Sequence, residues 1–225
     1  MTTYLLRHAP TTYSVEFRLN GDPAVEVPLT SEGLRACQTA RNELPTATFK
    51  SAMTSPFHRC RHTAERLTPT TTTLLEQPLL AELDYGVFEG ADFTEYAIWL
   101  AEHGPDQVPP NAQESQRSGI LRMMHGLNTA LDWSGPRLVV AHGLLVSVIQ
   151  WTRRHPNATL ADVFFPAAAG LVPVAIGDHE LRCLTTRLIG QLENREIGEN
   201  WRVDLGAFPP QIAVQIPTSR KAPHA

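Results

Sequence analysis

The chain opens on a short apolar run, Tyr4-Leu5-Leu6, that stops abruptly at Arg7-His8 and turns at Pro10. That is how a buried strand reads when it delivers polar residues to the carboxyl edge of a sheet, where ligands bind in open α/β folds. Pro10 biases Ala9 away from helix, so the chain turns there. A polar loop follows over residues 12–28, with Asn20-Gly21 as a turn signal. Behind Thr30 or Ser31 as an N-cap, Leu34, Cys37, Arg41 and Leu44 recur at helical spacing until Pro45. A second strand over residues 49–54 runs into Ser55-Pro56, a serine cap with proline at the first helical position, which places Arg59 on a helix's first turn.

A threonine-rich loop leads to the stretch from Leu79 to Gly90, in which Glu82 is flanked by apolar residues. Such surroundings raise a carboxyl pKa and suit a proton donor. Phe93, Ala97 and Leu100 mark a short helix, and the prolines up to Pro110 mark a loop. Ile120, Met123, Met124, Leu127 and Leu131 define a long helix that starts at Glu114-Ser115 and ends at Trp133-Ser134-Gly135. Residues 137–141 form the clearest strand, and it ends in His142-Gly143 before a helix through Leu145, Val148 and Trp151. Gly143 lets the backbone approach a ligand, and the new helix presents free N–H groups to an anion. Two further strands are expected over residues 171–176 and 181–186, joined at Gly177-Asp178. Asn200-Trp201-Arg202-Val203 could pack back on the domain, while Pro209-Pro210 and residues 217–225 read as a flexible tail.

With 225 residues, 42% hydrophobic and 19% charged, there is material for one sizeable core, or a domain with a lid. A net charge of −4 offers no basic footprint for nucleic acid and no polybasic membrane patch, so attraction for an anion has to be local. The three cysteines, Cys37, Cys60 and Cys183, form no Cys-x-x-Cys pair and fit a reducing compartment. Met1 leads straight into the first strand without a secretory h-region, and no apolar run reaches the ~18 residues a membrane span needs. The expected setting is therefore soluble and cytoplasmic.

Five of these segments together resemble the histidine phosphatase (phosphoglycerate mutase-like) superfamily. Arg7-His8-Ala9 is similar to its Arg-His-Gly signature, with alanine in the glycine place. Ser55 to Ala64 fits its Ser-x-x-x-Arg-x-x-x-Thr-Ala pattern, and Leu80 to Gly90 fits Leu-x-Glu-x-x-x-Gly-x-x-Glu/Gln-Gly. His142-Gly143 matches the second histidine motif, and Pro28-Leu29-Thr30 with Gly33 matches the helix entry. Two departures stand out: Ser14 where asparagine often follows the signature, and glycines replaced in Pro109–Ser115, which is otherwise similar to the Pro-Gly-Gly-Glu-Ser lid sequence.

Over residues 2–186 the resemblance implies a three-layer α/β/α sandwich with a mostly parallel sheet and a small helical lid near residues 91–118. Residues 1–190 would be the domain, with 191–225 as an extension. It also implies a phosphatase in which His8 attacks phosphorus, Arg7, Arg59 and His142 surround the phosphoryl oxygens, and Glu82 moves the proton. Thr11, Asn20 and the Gly143 amide would be secondary substrate contacts. Neither a metal nor another cofactor would be required. His8, Glu82 and His142 could instead form a two-His, one-carboxylate metal set, but adjacent arginines would repel the cation.

The expected partner is a small phosphomonoester, not nucleic acid or a membrane; a homodimer could form through the apolar helices and the tail, though nothing specifies it. A cofactor-dependent phosphoglycerate mutase and a silent phospho-ligand binding module are the alternatives. Against the mutase stands the absence of any lysine or arginine from residues 91–110. The acidic and apolar lid residues Phe93, Glu95, Tyr96 and Trp99 argue against a polyanionic substrate. Arg117 and Arg122 on the long helix could each reach a second anionic group or be surface charge, the latter being the favoured reading for Arg117.

Overall fold

A computed structural model describes residues 1–45, 48–194 and 201–202. Strands β1 (Thr2–Arg7), β2 (Ser51–Thr54), β3 (Thr73–Glu76), β4 (Arg137–Ala141) and β5 (Val174–Gly177) form one sheet in the order β3-β2-β4-β1-β5. Every pairing is parallel except β1 with β5. All five residues of β4 are buried, as expected of a central parallel strand covered on both faces.

Alternation along the strands divides the core. Leu6, Ala52, Leu138 and Val140 pack on one side against α2 (Ser31–Glu43) and α3 (His58–Leu67). Leu5, Met53, Val139 and Ala141 face the other side. There lie α4 (Phe93–His103), α5 (Gln116–Asn128), α6 (Gly143–Arg154) and α7 (Asp178–Glu193), each of which adds buried residues to that cluster. The result is the expected three-layer α/β/α sandwich.

Several expected elements differ. Residues 181–186 are not a strand but the second and third turns of α7. Leu181, Leu184, Leu188 and Leu192 keep one buried stripe at three- and four-residue spacing, which a six-residue window cannot separate from alternation. Asp178 and Glu180 in the first turn also favour a helix N-terminus. The threonine-rich loop contains β3, a half-exposed edge strand that exists because β2 offers it a parallel edge. The polar loop begins with α1 (Thr12–Val15), closed by a capping box between Thr11 and Ser14. Strand β2 starts at Ser51, β5 becomes extended only at Val174, and α5 ends at Asn128 before a 3-10 turn over Thr129–Asp132.

Residue 191 lies inside α7, so the stretch set aside as an extension begins within a helix. Arg202 returns to the domain: its amide donates to the Ala161 carbonyl at 2.7 Å and its carbonyl accepts from Val163 at 3.1 Å. Pro209-Pro210 and residues 217–225 lie outside the described residues. No helix among the described residues is long and apolar enough to cross a membrane.

Gly33 shows how tightly the helix layer approaches the first loop. A Cβ there would stand 2.4 Å from the Pro10 carbonyl oxygen. Gly33→Ala should therefore destabilise the fold by roughly 1–3 kcal/mol through overpacking, although alanine is the better helix former. A lowered urea midpoint at unchanged m-value would record it; a raised midpoint would show that the clash relaxes freely.

Candidate active site

The three parallel strands β1, β2 and β4 end at one edge of the sheet. The His8 amide donates to the Ala141 carbonyl at 3.0 Å, and the Ser55 amide to the Val140 carbonyl at 3.1 Å. Main-chain register thus brings Arg7-His8, Ser55 and His142 together. Helices α3 and α6 start immediately beyond, which adds Arg59 from the first turn of one and Gly143 from the first turn of the other.

His8 is buried, with its Nδ1 against the Ala9 carbonyl at 2.8 Å. A carbonyl can only accept, so Nδ1 carries the proton and Nε2 keeps a lone pair. Nε2 accepts from the Arg59 Nε–H at 3.2 Å. Burial, then the charges of Arg59 and Arg7, hold the His8 pKa well below its ordinary value. The imidazole is neutral near pH 7, the state a nucleophile needs.

Arg59 links the constellation. Its guanidinium donates to the Asn20 side-chain oxygen, to the Asn20 carbonyl at 2.9 Å and to His142 Nδ1 at 3.1 Å. The Phe57 ring lies 4.2 Å from the guanidinium carbon and packs edge-on to His142 at 4.9 Å. Thr63, four residues along α3, accepts from the Ala9 amide and donates to the Arg59 carbonyl. The threonine of the motif therefore ties the His8 loop to the Arg59 helix.

His142 is fully buried. Because Arg59 donates to Nδ1, the ring proton sits on Nε2 and points at the Ser55 hydroxyl 2.6 Å away. Burial, then the positive charge of Arg59 and the neighbouring His8, depress its pKa as well. Ser55 is thus not the helix cap expected of it; α3 begins two residues later, with Phe57 in the cap position and no side-chain bond. Cys60 lies 3.7 Å from His142 Nε2, but burial pushes its thiol to about 12, so it remains a neutral packing group.

Glu82 approaches from the opposite wall, its Oε2 3.8 Å from His142 Nδ1. Burial raises its pKa against the pull of Arg59, the Leu83 amide and Arg7. Arg122 does not reach a second anion. It pairs with Glu114 at 2.6 Å and donates to the carbonyls of Leu79, Ala81 and Glu82, bracing the Glu82 segment. Nor is Arg117 surface charge: it is buried and donates to the carbonyls of Gln191, Leu192 and Asn194 at the end of α7.

Arg7, His8, Arg59 and Glu82 line one cavity of about 260 Å³, together with Thr11, Asn20 and Gly143. Arg7 is steered by the Ala168 carbonyl at 2.8 Å, a contact invisible in sequence. A Cβ on Gly143 would meet Arg7 Nε at 3.4 Å, an ordinary contact, so the guanidinium lies against the first turn of α6. Asn20 is positioned by Glu89, which also accepts from the Gly21 and Asp22 amides. Of the named lid residues, Phe93 and Tyr96 line the cavity; Glu95 is exposed and Trp99 stacks on His103 outside it. The nitrogens a metal would use, His8 Nε2 and His142 Nδ1, both face the Arg59 guanidinium, which opposes a cation there.

The family model for the histidine phosphatase superfamily (branch 1) matches residues 3–187. Among solved structures, the α-ribazole phosphatase of Shigella flexneri superposes with a TM-score of 0.60 at 20% identity, over 79% of this chain and 90% of that one. YhfR of Bacillus stearothermophilus gives 0.63 at 21% identity, over 78% and 90%. A mycobacterial glucosyl-3-phosphoglycerate phosphatase gives 0.52 at 21% identity, over 65% and 76%. No curated protein sequence matches the chain.

Proposed function

The chain belongs to the histidine phosphatase superfamily, branch 1, and on that premise we propose that it is a metal-independent phosphomonoesterase working through a phosphohistidine on His8. The observation that carries the reading is the neutral His8 imidazole, its Nδ1 anchored on a carbonyl and its Nε2 presented to the cavity beside the Arg59 guanidinium. Two of the similar solved structures are phosphatases by name, which supports a phosphatase over a mutase. The expected substrate is a small phosphorylated metabolite.

In the first step the Arg59 Nε–H transfers its hydrogen bond from His8 Nε2 to a phosphoryl oxygen. The freed Nε2 lone pair attacks phosphorus in line, and the P–O bond to the leaving group breaks as the P–N bond forms. Arg7 and Arg59 take up the equatorial oxygens with forked hydrogen bonds, at the edge where the first-turn amides of α6 also open. His142, expected in that shell, does not line the cavity. Its Nε2–H is held by Ser55 and its Nδ1 by Arg59, so it orients Arg59 from behind, while Thr11 and Asn20 border the shell. Glu82, whose pKa burial raises above the ordinary carboxyl value, gives its proton to the departing alkoxide. In the second step the Glu82 carboxylate takes a proton from water; the water oxygen attacks phosphorus and the P–N bond breaks. Phosphate leaves and His8 is neutral again.

The pH dependence follows from the two shifts. Rate is lost as pH falls through the His8 pKa, which lies below the ordinary histidine value, because a protonated ring cannot attack. Rate is also lost as pH rises through the Glu82 pKa, which lies above the ordinary carboxyl value, because the acid is then spent. A bell-shaped kcat/KM on the acidic side of neutrality is expected. Phosphate release by the wild type in EDTA, over pH, tests the reading: no release from any monoester would overturn it.

Glu82→Gln isolates the proton donor. On an alkyl phosphate the variant should lose about 10²–10⁴-fold in kcat/KM. On p-nitrophenyl phosphate the loss should be far smaller, because that phenolate leaves without a proton. A burst of nitrophenolate equal to the enzyme concentration should follow mixing, then slow turnover, since Glu82 is also the base of the second step. Equal losses on both esters, without a burst, would remove Glu82 from the proton transfers.

A further inference from the structure

Resting on the phosphomonoesterase reading, we propose that the cavity beyond the phosphoryl site takes a flat, uncharged, mostly apolar leaving group. The apolar lining of the cavity comes from three separate segments: Phe17 in the first loop, Phe93 and Leu100 on α4, and the run from Val163 to Phe165. Aromatic and aliphatic surface of this kind gains most from burying a planar apolar group.

Charge points the same way. Among the described residues, the arginines lining the cavity are Arg7, Arg18 and Arg59, and no lysine lines it. Arg7 and Arg59 belong to the phosphoryl end. Arg18 is already engaged: its Nε donates to the Gly90 carbonyl at 2.8 Å, its guanidinium lies 4.2 Å from the Tyr13 ring, and Glu16 stands 3.9 Å away. A second phosphate or carboxylate on the substrate would lose its hydration against apolar walls without a free counter-charge.

Two local features go further. Phe17 has a φ of 58°, the left-handed region that a bulky side chain rarely adopts, and it is 56% exposed at the cavity. Its carbonyl accepts from the Phe93 amide at 2.8 Å, which joins this ring to the lid helix. Such a backbone persists where its surroundings impose it, often at a ligand site, and here it sets an aromatic face at the cavity. Gln116 lines the same cavity and is 5% exposed. Its Nε2 donates to the Val163 carbonyl at 2.9 Å, which fixes the amide's orientation, while Oε1 has no partner among the described residues. Oε1 itself is enclosed, so Gln116 adds a fixed, closed piece of wall to the cavity.

The test compares four primary alkyl phosphates, whose similar leaving groups make equal demands on Glu82: 2-(indolyl)ethyl phosphate, 2-(naphthyl)ethyl phosphate, ethyl phosphate and phosphoglycolate. The two aryl esters should exceed ethyl phosphate in kcat/KM by about 10–200-fold, and phosphoglycolate should be poorest. Phe17→Ala, an exposed position, should lower the aryl esters' kcat/KM several-fold and leave ethyl phosphate unchanged. Equal rates on all four, or a preference for phosphoglycolate, would overturn the inference while leaving the phosphatase reading intact. If no ester turns over, the phosphatase reading fails. Calorimetry with 2-(indolyl)ethylphosphonate against methylphosphonate then decides the pocket: tighter binding of the aryl probe supports it, and equal binding sinks it.

Discussion

His8→Ala should lower phosphate release by at least about 10⁴-fold, because removing a nucleophile leaves only binding and electrostatics. The loss should fall on kcat. Arg7 and Arg59 remain beside the vacated space, so inorganic phosphate should still bind and inhibit. The imidazole sits between the Ala9 carbonyl and the Arg59 guanidinium. Cys60, the nearest alternative nucleophile by chemistry, is held neutral by burial. In the wild type, a labelled substrate quenched during turnover should leave a label on protein that survives alkali and is lost in acid, as a P–N bond is. That label should be absent from His8→Ala. Undiminished turnover in the variant would mean that water attacks phosphorus directly.

Arg59→Met should cost about 10²–10³-fold in kcat, the scale for removing one preorganised donor from a dry site. It should also move the whole pH profile. Arg59 lowers the His8 pKa, so its loss raises that pKa and carries the acid limb to higher pH. Arg59 also holds the Glu82 pKa down against burial, so its loss lets that pKa rise further and carries the alkaline limb the same way. Both limbs therefore shift upward in the variant. Substrate ionisation is common to both enzymes and cancels from the comparison. A purely structural role for Arg59 would reduce activity without moving the limbs, and kcat/KM profiles of the two proteins separate the cases.

Much of the candidate site was legible along the chain because each member stands at a fixed offset from a strand end or a helix start. Arg7-His8 closes β1, His142 follows β4, and Arg59 falls on the first turn of α3. Local backbone geometry sets those positions, so local sequence can report them. Ser55 was visible but misassigned: serine before proline satisfies the rules for a helix cap, and only the register of β2 against β4 turns its hydroxyl toward His142. Arg117 and Arg122 look alike on one helix. One ties down the end of α7 and the other braces the Glu82 segment, because the carbonyls they meet lie some forty to seventy-five residues away in the chain.

By itself, the amino-acid order determined the alternation of strands and amphipathic helices, the two histidines at strand ends, the arginine on a helix's first turn and a glutamate in apolar surroundings. These are short-range properties, written in spacings of two to four residues. Tertiary structure decided that β3 exists, that residues 181–186 turn as helix, and that Phe17, Phe93, Phe165 and Gln116 enclose one cavity around His8. It also decided the protonation states on which the chemistry rests, since those depend on desolvation and on charges brought from distant segments. Neither kind of information is local, and so neither can be read from neighbours in sequence.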